Sequence, residues 1–445
     1  MQMNTDPMAA TVTASANPLV DNNPCLALIP ALNSMDDAFA VMECIPDEYP
    51  PESGVNDADL LIPTFEHARL MYELVAAVRR SAAERNLNSP EFRKKTISAA
   101  QLINHLTNRH GHTLPAAPVT VPNAAPRGFF VIVPTGMGHR ALRRAVERRL
   151  GTEPTTIDLR LPDGGSMQYL RLPSLCVPFP SNGSLRSFAR AFVARFDDAM
   201  QTRYSERTHG PLHRGEQEIS AAIQAFAIAA NLGLLIVDQI NTRDASGSAA
   251  AALWTTLSQF SSATGIPVLC LATPGAAAAL SEQSAAISAL APESAYHIPS
   301  VDPSSELWMT LVNYLYGRHL ASLLGANTLE SPGWFSDSLW RATLGHTELA
   351  VKVCKHVAGV LWTSGATKLS KENFLEHATD ALVLERPHLK AIERLGLGGR
   401  FTATSLRRHG DWLPLEAVMQ TVPGLDHEDA KKKIAYVQEA QGGPR

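Results

Sequence analysis

The chain has little with which to build a covalent or metal-centred framework. Its five cysteines, Cys25, Cys44, Cys176, Cys270 and Cys354, lie far apart without a C-x-x-C spacing, which argues against a zinc site or a disulfide scaffold. Reduced thiols in a cytoplasm are the expectation. The fifteen histidines form no H-E-x-x-H or similar cluster, and no G-x-S-x-G elbow is present, so neither a zinc protease nor an α/β-hydrolase has its motif. No apolar run reaches the roughly 18 to 20 residues that cross a bilayer, and the first residues lack a basic stretch followed by an apolar one. There is no internal repeat. Basic charge is not in excess either: 39 Lys and Arg against 43 Asp and Glu leave a net charge of −4. Any contact with nucleic acid must therefore come from a local patch.

What is present suits a multidomain globular protein. With 445 residues, 45% of them apolar and 18% charged, the chain can bury two or three cores. Residues 1–40, rich in Ala, Asn, Thr, Ser and Pro, read as a disordered tail. Residues 41–118 read as a helical N-terminal region, with apolar positions three and four apart in Phe65–Val75 and Ile97–Leu106. Residues 119–300 alternate strand and helix. The strands are Phe129–Val133, Ser174–Phe179, Leu232–Asp238 and Pro267–Thr273, with an amphipathic helix over Leu185–Met200. Four apolar strands separated by helices predict a parallel sheet covered on both faces. Residues 301–396 read as a helical domain, with helices over Leu307–Leu324, Ser338–Trp362 and Lys371–Leu384. Residues 397–445 read as an appendage that holds a short helix over Leu413–Thr421 and the triplet Lys431-Lys432-Lys433.

The first strand runs into Val133-Pro134-Thr135-Gly136-Met137-Gly138-His139-Arg140 and then a helix-like segment. Strand, glycine turn and helix N-terminus are the parts of a phosphate-binding loop. Against G-x-x-x-x-G-K-[ST], Gly138 matches, but Val133 replaces the first glycine, His139 the lysine and Arg140 the Ser/Thr. A loop lysine reaches the β and γ phosphates and the hydroxyl ligates Mg²⁺. His139 is shorter and mostly neutral near pH 7, and Arg140 has no lone pair to offer a metal. Strand three ends in Asp238-Gln239, where a Walker B motif has Asp followed by Glu. Asp238 would be the Mg²⁺ ligand if the metal binds. Gln239 can position a water but cannot take its proton. The scaffold reads as kept and the hydrolytic chemistry as lost.

The order of these motifs resembles the AAA+ transposition regulators called TnsC and TniB, which serve Tn-seven-like transposons, over about residues 60–390. Three further stretches carry the resemblance. Ser181-Asn182-Gly183-Ser184-Leu185-Arg186 is similar to that family's "dGS" turn, and Leu271-Ala272-Thr273 to its sensor strand. Ser338–Trp340, Gly345–Val351 and Thr367–Ser370 are similar to its C-terminal lid. The resemblance implies an α/β fold of the AAA+ P-loop type, a parallel sheet with covering helices followed by an α-helical lid. It also implies ATP and Mg²⁺ as cofactors, oligomers on DNA, and partners that include a transposase and a target-selection protein. Ring ATPases of this kind carry an arginine finger, yet from Asp244 to Gly317 there is no Lys or Arg. The expected function is a regulator or adaptor of DNA transposition with little or no ATP hydrolysis, a pseudo-ATPase assembling with itself or with an active paralogue. Two alternatives stay open: an active DNA-dependent ATPase of the same family, and an AAA+-like scaffold unrelated to mobile DNA.

The expected vestigial nucleotide site comprises Thr135, Gly136, Met137, Gly138, His139, Arg140, Asp238, Gln239 and Thr273, and no residue is assigned a catalytic role. Candidate DNA contacts are Arg186, Arg144 and Arg148. Arg140, Arg144 and Arg148 stand four residues apart on one helix face and could follow a phosphate backbone. The bland alternative is a solvated helix face, balanced in part by Glu147. Trp334, Trp340 and Trp362 read as core aromatics of the helical domain.

Overall fold

The computed structural model describes residues 23–48, 55–107, 127–160, 164–207, 215–325, 330–396 and 402–419. Seven strands occur among them: β1 (Gly128–Ile132), β2 (Thr155–Arg160), β3 (Ser166–Arg171), β4 (Ser174–Pro178), β5 (Leu234–Ile240), β6 (Val268–Ala272) and β7 (Tyr296–His297). Five make one parallel sheet in the order β4-β5-β6-β1-β7. The strand leading into the glycine turn is therefore flanked on both sides, and its carboxyl end opens beside that of β6.

Both faces of the sheet are covered, which is why the strand sequences run apolar without alternation. Successive side chains point to opposite faces. Phe130, Ile132, Leu235, Val237 and Cys270 join the core built with the helices Pro90–Thr107, Leu185–Met200, Glu216–Ala229 and Ala250–Thr264. Phe129, Val131, Leu234, Ile236 and Leu269 join the core beneath Met35–Met42, Phe65–Glu84 and His139–Leu150. Pairing is in register from Gly128 opposite Val268 to Ile132 opposite Ala272. Gly128 is required there: a Cβ would lie 2.2 Å from Leu290 Cα.

The lid follows β7. Helix Glu306–Tyr316 continues through a π turn at Gly317–Ala321, and Gly333–Thr343, Thr347–Ser364, Lys371–Ala381 and Arg386–Gly396 complete it. Its core holds Trp308, Phe335 and Phe374, the last two with ring centroids 5.0 Å apart. The α/β arrangement expected from the sequence, a covered parallel sheet and then a helical domain, is the fold of this chain.

Several sequence expectations are corrected. The tail does not extend to residue 40: residues 23–48 are packed, with Cys25, Ile29, Ala38 and Met42 in the core. The helix expected over Ser338–Trp362 is two helices, parted where Leu344 and Gly345 take positive φ of 51° and 77°. A Cβ on Gly345 would sit 2.1 Å from Val301 O. The antiparallel β2–β3 hairpin was not anticipated, although Ile157 and Leu159 alternate with polar residues and are the buried positions. Trp362 is 76% exposed, not core. The appendage expected from 397 is packed in its described part: residues 402–419 return to the sheet, while Lys431-Lys432-Lys433 lies outside the described residues.

Candidate functional site

The glycine turn leaves β1 with Val133 N–H bonded to Ala272 O at 2.8 Å. Gly136 and Gly138 take φ of +85° and +88°, which glycine adopts without the steric cost of a Cβ. Gly138 then caps helix His139–Leu150 without a side-chain bond. Thr135, Gly136, Met137 and Gly138 thus form a glycine turn between strand and helix, and the turn is not empty.

His139 folds back over it. Its Nε2 donates to Val133 O at 2.6 Å, so the ring closes the loop instead of reaching outward. Burial lowers its pKa, which keeps the imidazole neutral at neutral pH. Arg140 turns the other way, its Nε 3.4 Å from Oδ1 of buried Asp59, and Arg144 approaches the same oxygen at 3.7 Å. Asp59 is also the acceptor that caps its own turn, taking the Asn56 N–H at 3.0 Å.

Strand β5 ends irregularly. A register shift falls between Val237 and Ile240, and Gln239 within it has φ +64° and an exposed side chain. Asp238 is 6% exposed. One carboxylate oxygen accepts the Gln239 N–H at 2.7 Å, and the other lies 3.2 Å from Arg143 Nε. Arg143 is shared with Glu147 at 3.3 Å and with Cys176 Sγ at 3.7 Å. Burial, with the Asp238 charge adding to it, pushes the Cys176 thiol up to about 11, so it is no thiolate nucleophile. Asp238 is already neutralised by a guanidinium, and Arg140 stands where a hydroxyl ligand belongs. These residues do not fit Mg²⁺.

Thr273 caps helix Pro274–Ser281. Its hydroxyl donates to Asp411 Oδ1, which also accepts from Thr242 N–H at 2.8 Å and Thr242 Oγ1 at 2.6 Å. Thr135 N–H donates to Asp411 O at 2.8 Å, and Glu348 N–H to Gly136 O at 3.0 Å. Asp411, Thr242, Glu348 and Asp59 belong to the site and were missed by sequence reading. Their contacts span up to 276 residues of chain between Thr135 and Asp411, and no local spacing announces such a contact.

Beside the turn lies an apolar cavity of about 420 Å³, walled by Leu60, Ile62, Met137, Ile298, Val301 and Val351, with Lys352 and Lys355 at its edge. Those lysines pair with Glu385 at 2.7 Å and Asp57 at 3.1 Å. Of the candidate DNA contacts, Arg186 is exposed on helix Leu185–Met200, whereas Arg144 and Arg148 are half-buried on His139–Leu150. No group of three or more metal-ligating residues occurs among the described residues, and no helix among them is long and apolar enough to cross a membrane.

No protein-family model and no curated protein matches the chain. Among solved structures it is similar to the ORC2 protein of Aeropyrum pernix, determined as ADPNP-ADP complexes, with 13% identity, coverage of 78% of this chain and 85% of that one, and a TM-score of 0.37.

Proposed function

We propose that the chain is an AAA+-type regulator of DNA transposition, an adaptor acting in the cytoplasm between target selection and the transposase, with little or no ATP hydrolysis. The observation that carries the absence of hydrolysis is the pairing of Asp238 with Arg143 beside an outward-turned Gln239. Transferring a γ phosphate to water needs a metal held by that carboxylate and a group that orients the water. The carboxylate faces Arg143 and Gln239 turns outward, and the His139 ring closes the turn where a lysine would meet phosphates.

The transposition part is supported by the sequence resemblance. Its "dGS"-like turn is built as a tight cap: Gly183 has φ +65°, and Ser184 accepts the Ser187 N–H at 3.2 Å at the start of helix Leu185–Met200. Arg186 on that helix, with Arg144 and Arg148, is the proposed DNA contact. The proposed protein partners are a transposase, a target-selection protein, and either copies of this chain or an active paralogue.

The test is calorimetry with Mg·ATP, a hydrolysis assay on the purified chain, and co-purification with a transposase encoded beside it. Absent turnover together with a stable transposase complex is the expected result. Turnover that disappears in Asp238→Ala would make the chain an active ATPase. Failure to bind DNA at low salt, where phosphate contacts are strongest, with no transposase complex, would leave a scaffold unrelated to mobile DNA.

A further inference from the structure

The segment His409-Gly410-Asp411-Trp412 lies across the glycine turn and is held by groups from three strand ends. Gly275 N–H, just past β6, donates to Gly410 O at 3.0 Å, and Thr135 N–H, just past β1, donates to Asp411 O. Thr242, just past β5, gives both its N–H and its hydroxyl to Asp411 Oδ1, and the Thr273 hydroxyl adds a third donor to the same oxygen. The Trp412 ring stacks on His388 at 4.9 Å and 16°, and lies 6.0 Å from His346. Leu413 is fully buried in a small cluster with Ala391 and Val418. Donors from separate strands that converge on one carboxylate oxygen form an anion subsite. Here the anion belongs to the chain.

We infer that the phosphate side of this P-loop is a peptide-carboxylate subsite filled in cis by Asp411, and that the segment and the phosphates of a nucleotide exclude each other. This extends the proposed function, and it depends only on the glycine turn being a nucleotide-type site. A phosphate at the turn would meet the Asp411 carboxylate, and also the Asp411 main-chain carbonyl that already takes the Thr135 N–H. The adjacent 420 Å³ cavity is a different matter: no residue of 402–419 lines it. A nucleoside seated in that cavity would lack phosphates and would not meet Asp411. His346 Nε2, buried beside the turn, has no hydrogen-bond partner among the described residues, so a polar atom is available to a ligand once Trp412 moves.

The experiment is calorimetry of the full chain with Mg·ATP and, separately, with adenosine, for the wild type, Asp411→Ala and Trp412→Ala. Tryptophan emission is followed in the wild type and in Trp412→Phe. A segment seated in about 90% of molecules weakens a competing ligand about tenfold. Both alanine variants should therefore bind Mg·ATP about tenfold tighter or more, with adenosine affinity unchanged, and Mg·ATP should alter the emission that Trp412→Phe lacks. Unchanged Mg·ATP affinity in variants that melt near the wild type would overturn the inference, as would wild-type Mg·ATP binding that leaves Trp412 emission unaltered. If Asp411→Ala does not fold, Trp412→Ala decides. Turnover by the wild type would refute the non-hydrolysing reading and leave this one standing.

Discussion

A single imidazole shows how far one residue changes this site. Lysine at position 139 would extend a permanent cation towards a phosphate, whereas the His139 ring donates to Val133 O and closes the loop. Replacing His139 by Lys and Arg140 by Ser is expected to raise Mg·ATP affinity, read by calorimetry, without producing turnover, because Arg143 still holds Asp238 and Gln239 still faces solvent. Rapid hydrolysis would contradict this. His67 carries a separate consequence for stability. It is buried, and its Nδ1 accepts from Thr64 N–H at 3.0 Å and lies 2.8 Å from Thr64 Oγ1, an acceptor role that a proton would abolish. Burial lowers its pKa to about 4 from 6.5. The unfolded chain therefore binds the proton more readily, so stability from this residue is full above pH 6.5 and lost as pH falls towards 4. The loss amounts to about 3 kcal/mol. Urea unfolding between pH 7 and pH 4 should show it, and His67→Gln, which keeps an N3 acceptor for the cap, should flatten that part of the profile.

Elements meet at several glycines where a side chain has no room, Gly128, Gly233, Gly275 and Gly345 among them. Strand β1 passes under helix Ser284–Leu290 so closely that a Cβ on Gly128 would lie 2.2 Å from Leu290 Cα and 2.4 Å from Ala289 O. Gly128→Ala must push backbone against backbone, and overpacking of this kind costs at least about 1–3 kcal/mol. A drop in melting temperature with Mg·ATP behaviour otherwise unchanged would confirm that the glycine serves packing; wild-type stability would mean that the helix yields. The end of β5 is shaped by a bulge instead. The shift at Gln239 lets Asp238 stay in the sheet edge facing Arg143 while its neighbour turns out. Strand, turn and helix were readable here because each has a local signature, apolar run, glycine pair and amphipathic period. The bulge was not, since Asp238-Gln239-Ile240 contains no glycine to mark the positive φ.

For the whole molecule, a net charge of −4 gives no general attraction to DNA, so the proposed contact must appear as a small, salt-steep effect. Each arginine that meets a phosphate adds roughly 0.9 to the slope of log affinity against log salt. Changing Arg186, Arg144 or Arg148 to Ala should therefore lower that slope by about 1 apiece, measured by fluorescence anisotropy across salt. A slope that ignores all three would put DNA elsewhere or nowhere. By itself, the sequence determined the covered parallel sheet, the glycine turn at the end of its first strand and the helical domain, and it put His139, Arg140 and Gln239 where the resemblance expects a lysine, a hydroxyl and an acid. Those follow from period, composition and residue identity, which act within a few neighbours. Only the tertiary structure decided what occupies the turn. Asp411 meets Thr242 and Thr273 through its carboxylate and Thr135 through its main-chain carbonyl, and groups so distant in the chain come together only when the folded sheet brings the three strand ends to one point.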